Sequence, residues 1–222
     1  MQLVSIETSR IICLTQMNRG PTGQPYLPDA ASKLQQRYSF AKLPTITELT
    51  SGSFAFAIGK FRDVQINELQ VYPDGVIVST RADTEILEGF LSDLFSWAER
   101  EFGLTPIATA KPEKFIESAI VVKSETDLSL ALSPSNDVAA IVNRAIQEKV
   151  TSAHYQIAGF TLDSDPAAFL GRRKPMRFGI ERRLNVPFNE NVFYSYAPLH
   201  TQHHLKVLSE LEALPIAARH GN

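Results

Sequence analysis

The stretch Asp74–Phe95, DGVIVSTRADTEILEGFLSDLF, decides the fold class. It opens inside Tyr72-Pro-Asp-Gly75, a turn signal in which proline presets one backbone angle and glycine supplies another that most residues avoid. Val76, Ile77 and Val78 then favour an extended strand. From about Asp83 the apolar period changes. Ile86, Leu87, Phe90, Leu91, Leu94, Phe95 and Ala98 recur at helical spacing as one broad stripe, which predicts a helix to Phe102. Asp83 and Glu85 suit the positive end of that helix, and Gly103 suits its stop. Two strand-like runs, Ser53–Lys60 and Val64–Tyr72, come before it. The order is three strands, then one helix.

Glu190–Glu212, ENVFYSYAPLHTQHHLKVLSELE, has the same form: a strand with a central serine (Ser195, as Ser79), a short turn and an amphipathic helix. Strands near 153–163 and 176–184 precede it, and its helix runs from Thr201 to Leu214, where Pro215 stops it. Between the two βββα stretches the pattern predicts strands at Lys114–Lys123 and Thr126–Leu132. A helix follows from Asn136 to about Val150, turning Val138, Ile141, Val142, Ala145 and Ile146 inward. At the start, residues 2–16 suit a strand and Arg19–Pro28 a proline- and glycine-rich loop. Asp29 caps a short helix with Leu34, Tyr38 and Ala41 on one face. Strands in runs, each run closed by one helix, predict an α+β fold: a mostly antiparallel sheet, about four helices and an internal βββα pseudo-repeat. The expected organisation is a single domain over 1–222, with sub-lobes 1–110 and 111–222.

Composition narrows the function classes. Of 222 residues 44% are hydrophobic and 21% charged, as in a soluble globular protein and unlike a disordered one. Apolar runs fall short of the roughly 18–20 residues of a membrane span, and Glu7 and Arg10 interrupt what a secretory leader needs. The single cysteine, Cys13, excludes an internal disulfide and reads as a buried strand residue. The expectation is a cytoplasmic protein without cofactor and without membrane contact.

Charge is distributed unevenly. Arg172, Arg173, Lys174, Arg177, Arg182 and Arg183 face one acid, Glu181, in a chain of net charge −2. Such an excess suits an anion or an acidic surface. On a strand, Arg177, Glu181 and Arg183 lie opposite Met176, Phe178, Ile180, Arg182 and Leu184. Arg182 therefore falls among inward residues and needs either the rim or a paired acid. The alternative for the whole set is a solvated strand paired with the acidic helix 83–102. Tyr194 and Tyr196 follow and could add contact area or stack bases. Asn189 and Asn191 fit a turn held by their side chains.

Catalytic signatures are missing. Gly20-Pro-Thr-Gly-Gln lacks the Lys-Ser/Thr of a phosphate loop, and neither the dinucleotide glycine pattern nor the serine elbow occurs. Ser39-Phe-Ala-Lys42 fits a surface helix turn better than a nucleophile motif. His200, His203 and His204 are the best metal candidates, with Asp163, Asp165, Glu181 or His154 as further ligands, but no local glutamate supplies a base. Asp163-Ser-Asp165 suits a turn as readily as magnesium. The leading expectation is a non-enzymatic binding or assembly protein that uses Arg172, Arg173, Lys174, Arg177, Arg183, Tyr194 and Tyr196. Its partner would be a protein or a second copy of the chain. A nucleic-acid-binding accessory protein is the alternative, and a metal-assisted hydrolase at the three histidines comes third.

Overall fold

β1 (Gln2–Leu14) and β2 (Met17–Asn18) start the chain, and α1 (Leu27–Tyr38) and α2 (Ile46–Ser51) follow. Next come β3 (Phe54–Phe61), β4 (Val64–Tyr72), β5 (Gly75–Thr80), α3 (Thr84–Phe102), β6 (Thr105–Pro106) and β7 (Glu113–Lys123). The second half holds α4 (Asn136–Gln147), β8 (Gly159–Leu162), β9 (Phe178–Arg182), β10 (Val192–Ala197) and α5 (Thr201–Glu212). This computed structural model describes residues 1–18, 26–106, 112–129, 136–147, 155–169 and 173–214. The chain divides into an N-terminal unit, Ile6–Ala119 with Pro198–Gln202, and a C-terminal unit, Met1–Ser5 with Ile120–Ala197 and His203–Asn222. All strand pairs with a described register are antiparallel, so the fold is α+β.

In the N-terminal unit the strands lie in the order β3-β4-β5-β1-β7, with β2 and β6 paired separately. The Tyr72–Gly75 turn joins β4 to β5 as a hairpin. Alternation then sorts the side chains. Phe54 and Phe56 of β3, Val76 and Val78 of β5, and Ile11 and Cys13 of β1 are all buried. The α3 stripe (Leu87, Phe90, Leu91, Leu94, Ala98) joins them in one core with Trp97 and Tyr38. Gly103 closes α3 at φ 65°, its N–H donating to the Glu99 carbonyl at 2.8 Å.

Three acids of α3 have cationic or hydroxyl partners inside this unit. Asp93 accepts from Arg37 at 2.7 Å and from the Tyr38 hydroxyl at 2.7 Å. Glu101 pairs with Lys33 at 2.7 Å, and Glu88 with Lys114. Burial pushes the Asp93 carboxyl upward, but the Arg37 and Tyr38 hydrogen bonds outweigh it and hold the group below its ordinary value.

The caps differ from expectation in two places. α1 begins at Leu27 with Pro28 in its first turn, so Asp29 is a helical residue and Tyr26 the cap. Ser39 ends α1 in the left-handed region at φ 53°, which leaves Ala41 and Lys42 outside the helix. α2 has no counterpart in the sequence reading. Its capping box was there to be read: the Thr45 hydroxyl accepts the Glu48 N–H at 3.3 Å, and the Glu48 carboxylate accepts the Thr45 N–H at 2.6 Å.

The first residues of α3 and α5 cap each other. The Thr201 N–H donates to the Thr84 hydroxyl oxygen at 2.9 Å, and the Thr84 N–H to the Thr201 hydroxyl oxygen at 3.2 Å. The two hydroxyl oxygens lie 3.3 Å apart, and both side chains are fully buried. Asp83, at the cap position of α3, makes no such bond. Each helix thus satisfies an orphan donor of the other.

In the C-terminal unit the order is β7-β10-β9-β8. Here, as in β3-β4-β5-α3, three antiparallel strands lead into one helix. The two serines are not equivalent, because Ser195 lies on the buried side of β10 whereas Ser79 lies between the buried Val78 and Thr80 of β5.

Two expectations fail in this unit. Thr126–Leu132 is not a strand over its described part. Asp127 accepts from the Ser129 N–H at 3.0 Å and from its hydroxyl at 2.6 Å, and Leu128 and Ser129 turn into a 3-10 segment. A side-chain acceptor two residues back outcompetes the extended conformation that the Leu/Ser alternation suggests. Helix α4 turns the opposite way from its stripe: Val138 (62% exposed), Ile141, Val142 and Ala145 face solvent. Asn143 is the buried residue. Its side-chain oxygen accepts the Tyr155 N–H at 2.6 Å and its amide donates to the Tyr155 carbonyl at 2.8 Å. That paired bond fixes which side of α4 faces in.

Candidate binding surface

β10 alternates fully: Phe193, Ser195 and Ala197 are buried, while Val192, Tyr194 and Tyr196 lie half-buried on the other face. On the buried face the Ser195 hydroxyl donates to the Gly179 carbonyl at 2.8 Å and lies 2.8 Å from His204 Nε2. A hydroxyl has one proton to give, so His204 must donate from Nε2 and the serine oxygen accepts. This is the reverse of an activated serine, whose hydroxyl gives its proton to the imidazole. His204 is fully buried, and desolvation depresses its pKa to about 4. Its ring also meets Phe178 edge-on, with centroids 6.0 Å apart.

The other histidines have separate roles. His200 lies at the start of α5 with Nδ1 3.2 Å from the Thr84 hydroxyl, and His203 is exposed on the helix. Among the described residues no group of three or more His, Cys, Asp or Glu is placed to hold a metal ion, and His154 lies outside them. The Asp163–Asp165 segment is a turn with its own uses. Asp163 accepts the Ser164 N–H at 2.9 Å, and Asp165 accepts the Ala167 N–H at 2.9 Å to start a 3-10 turn over Pro166–Phe169.

The basic set divides in space. Arg172 lies outside the described residues, and Arg173 is exposed ahead of β9. Lys174 reaches Asp163 at 2.6 Å and Arg177 reaches it at 2.8 Å. The Lys174 bond leads in holding the Asp163 carboxyl below its ordinary value; burial opposes it, and the Arg177 bond adds to it. Arg182 is buried, as the inward register required, and its acid is Asp127. Its guanidinium also donates to the Phe188 carbonyl at 2.7 Å and lies 4.3 Å from the Phe188 ring and 5.2 Å from the Phe193 ring. Arg183 is half-buried, and its backbone N–H continues the ladder to the Val192 carbonyl at 2.9 Å. Two acids from distant positions, Asp127 and Asp163, therefore answer three of the cations.

Across from Tyr194 and Tyr196 stand Glu181 and Gly179. The tyrosine rings are 5.9 Å apart, and the Tyr196 ring lies so close over Gly179 that a Cβ there would sit 2.3 Å from it. The glycine is a seat for the ring. The Tyr196 hydroxyl lies 3.2 Å from that of Thr161 on β8 and 3.5 Å from the exposed Glu181 carboxylate. β8 is the last strand in the order and carries Leu162, 59% exposed. The connection into β10 is a 3-10 turn, Phe188–Glu190, closed by Asn191 at φ 49°. Asn191 serves through its tolerance of that left-handed angle, with its own N–H bonded to the Phe188 carbonyl at 3.2 Å.

No helix among the described residues is long and apolar enough to cross a membrane. No family model matches the chain, and no curated protein matches it. Among solved structures the chain is similar to the TBP of Methanococcus jannaschii, at 10% identity over 94% of this chain and 93% of that one, with a TM-score of 0.43.

Proposed function

We propose that this is a non-enzymatic binding or assembly protein that works through the β8–β9–β10 face bearing Tyr194 and Tyr196. Arg173 and Arg183 supply its charge, and its first partner is a second copy of the chain. The observation that carries the reading is the Tyr194–Tyr196 ring pair on the face of β10 away from Ser195 and His204, with the Tyr196 ring seated over Gly179. Paired aromatics with arginine nearby are the side chains that concentrate binding energy at protein interfaces. β8, last in the strand order, also presents an edge that calls for a cover.

Nucleic acid is the competing partner. Asp163 neutralises Lys174 and Arg177, and Glu181 puts a carboxylate beside the ring that would have to stack a base. Both features favour protein.

Sedimentation equilibrium tests the reading on the parent chain and on a Tyr194→Ala/Tyr196→Ala variant. Both rings lie half-buried on the outer face of β10, and far-UV circular dichroism checks that the variant keeps its fold. The parent is expected to sediment as a defined oligomer and the variant as a monomer. A variant that keeps the parent's mass would overturn the assignment of the face.

A further inference from the structure

The N-terminal unit contains a cleft that the tyrosine surface does not use. It has a volume of about 330 Å³ and lies between α1, α3 and the strands. Its lining among the described residues includes Leu34, Phe54, Val76, Leu94, Trp97 and Phe102. A molecule of liquid water occupies about 30 Å³, so the space suits a ligand of roughly ten heavy atoms. Its walls are mostly apolar, with Thr15 and Tyr72 among the few polar side chains, so water gains few hydrogen bonds there.

Next in sequence to the lining residues Met17 and Leu104, the segment 19–25 reads Arg-Gly-Pro-Thr-Gly-Gln-Pro and has no large apolar side chain, whereas 107–111 reads Ile-Ala-Thr-Ala-Lys and has one, Ile107. Charge near the cleft selects among outside occupants. The Lys33 ammonium lies 5.4 Å over the Phe102 ring, which lines the cleft, but Glu101 at 2.7 Å and Asp29 at 3.4 Å already claim it. Two carboxylates against one ammonium leave this side net negative, which repels an anionic head group.

We propose that this cleft is a binding site for an uncharged lipophilic small molecule, an alkyl chain or ring without an ionised acid. Trp97 is the only tryptophan of the chain and forms part of the wall, so its fluorescence reports occupancy directly. The full chain is titrated with 1-octanol and, separately, with octanoate. 1-Octanol is expected to give a saturable change in Trp97 emission and a rise in Tm, and octanoate to bind about tenfold more weakly, the factor that 1.4 kcal/mol represents. Ala30 and Ala98 also line the cleft, on α1 and α3. Ala30→Leu should fill the space, raise Tm without ligand and abolish the octanol response. Ala98→Leu gives the same reading from the opposite wall should the first variant fold poorly. The proposal is overturned by an unsaturable octanol response in the parent, by equal binding of octanoate, or by filled variants that still bind octanol.

Discussion

The reciprocal cap between Thr84 and Thr201 gives the sharpest quantitative expectation. Valine matches threonine in shape and lacks only the hydroxyl. Thr84→Val leaves the buried Thr201 N–H without an acceptor, a loss of about 1–3 kcal/mol. It also removes the hydroxyl partner of His200, adding about 0.5–1.5 kcal/mol. Thr201→Val orphans the Thr84 N–H, whose bond is longer at 3.2 Å, and should cost about 1–2 kcal/mol. Each single variant also loses the contact between the two hydroxyl oxygens, but the double variant loses it only once. The double variant should therefore fall short of the sum by about 0.5–1 kcal/mol. Denaturant titration followed by Trp97 fluorescence reads this, because Trp97 belongs to the core of the same unit. Native-state hydrogen exchange at the two amides supplies a local reading. Strict additivity, or single variants that each cost under about 0.5 kcal/mol, would refute the reciprocal cap.

Three further outcomes follow from the geometry. His204 protonates near pH 4 when folded and near 6.5 when unfolded, so its contribution is complete above about pH 6.5 and is lost as pH falls through about 4. The loss amounts to about 3 kcal/mol, and His204→Gln should flatten the stability profile in that window when measured by denaturant midpoints. Asp127→Ala leaves the Arg182 guanidinium buried without its acid and should cost about 3 kcal/mol by thermal unfolding, while Arg182→Met with Asp127→Asn should cost much less. Gly179→Ala should displace the Tyr196 ring and weaken self-association, seen as a higher dissociation constant in sedimentation with little change in far-UV circular dichroism.

Local signals carried much of the fold in the sequence. Pro73-Asp-Gly75 specified its hairpin through backbone angles alone, and the α3 stripe specified a helix and its buried face together. The inward register of β9 foretold that Arg182 needs an acid, although nothing local pointed to Asp127, 55 positions away. Where a side-chain hydrogen bond decides the outcome, patterning misleads. Asp127 turns an apparent strand into a 3-10 segment, and Asn143 holds α4 with its apolar stripe outward. The charge of the 172–183 segment is partly answered from outside it, since Asp163 reaches Lys174 and Arg177 only once the turn has formed. The Thr84–Thr201 pair spans 117 positions and had no sequence signature.

The central claim, assembly through the tyrosine face with protein as partner, is tested most directly by light scattering on a sizing column, in low and in high salt, with absorbance at 260 and 280 nm. The account predicts one defined oligomer mass that persists in high salt and an absorbance ratio of protein alone. A monomer in both salts, or nucleic acid that co-elutes in low salt and leaves in high salt, would contradict it.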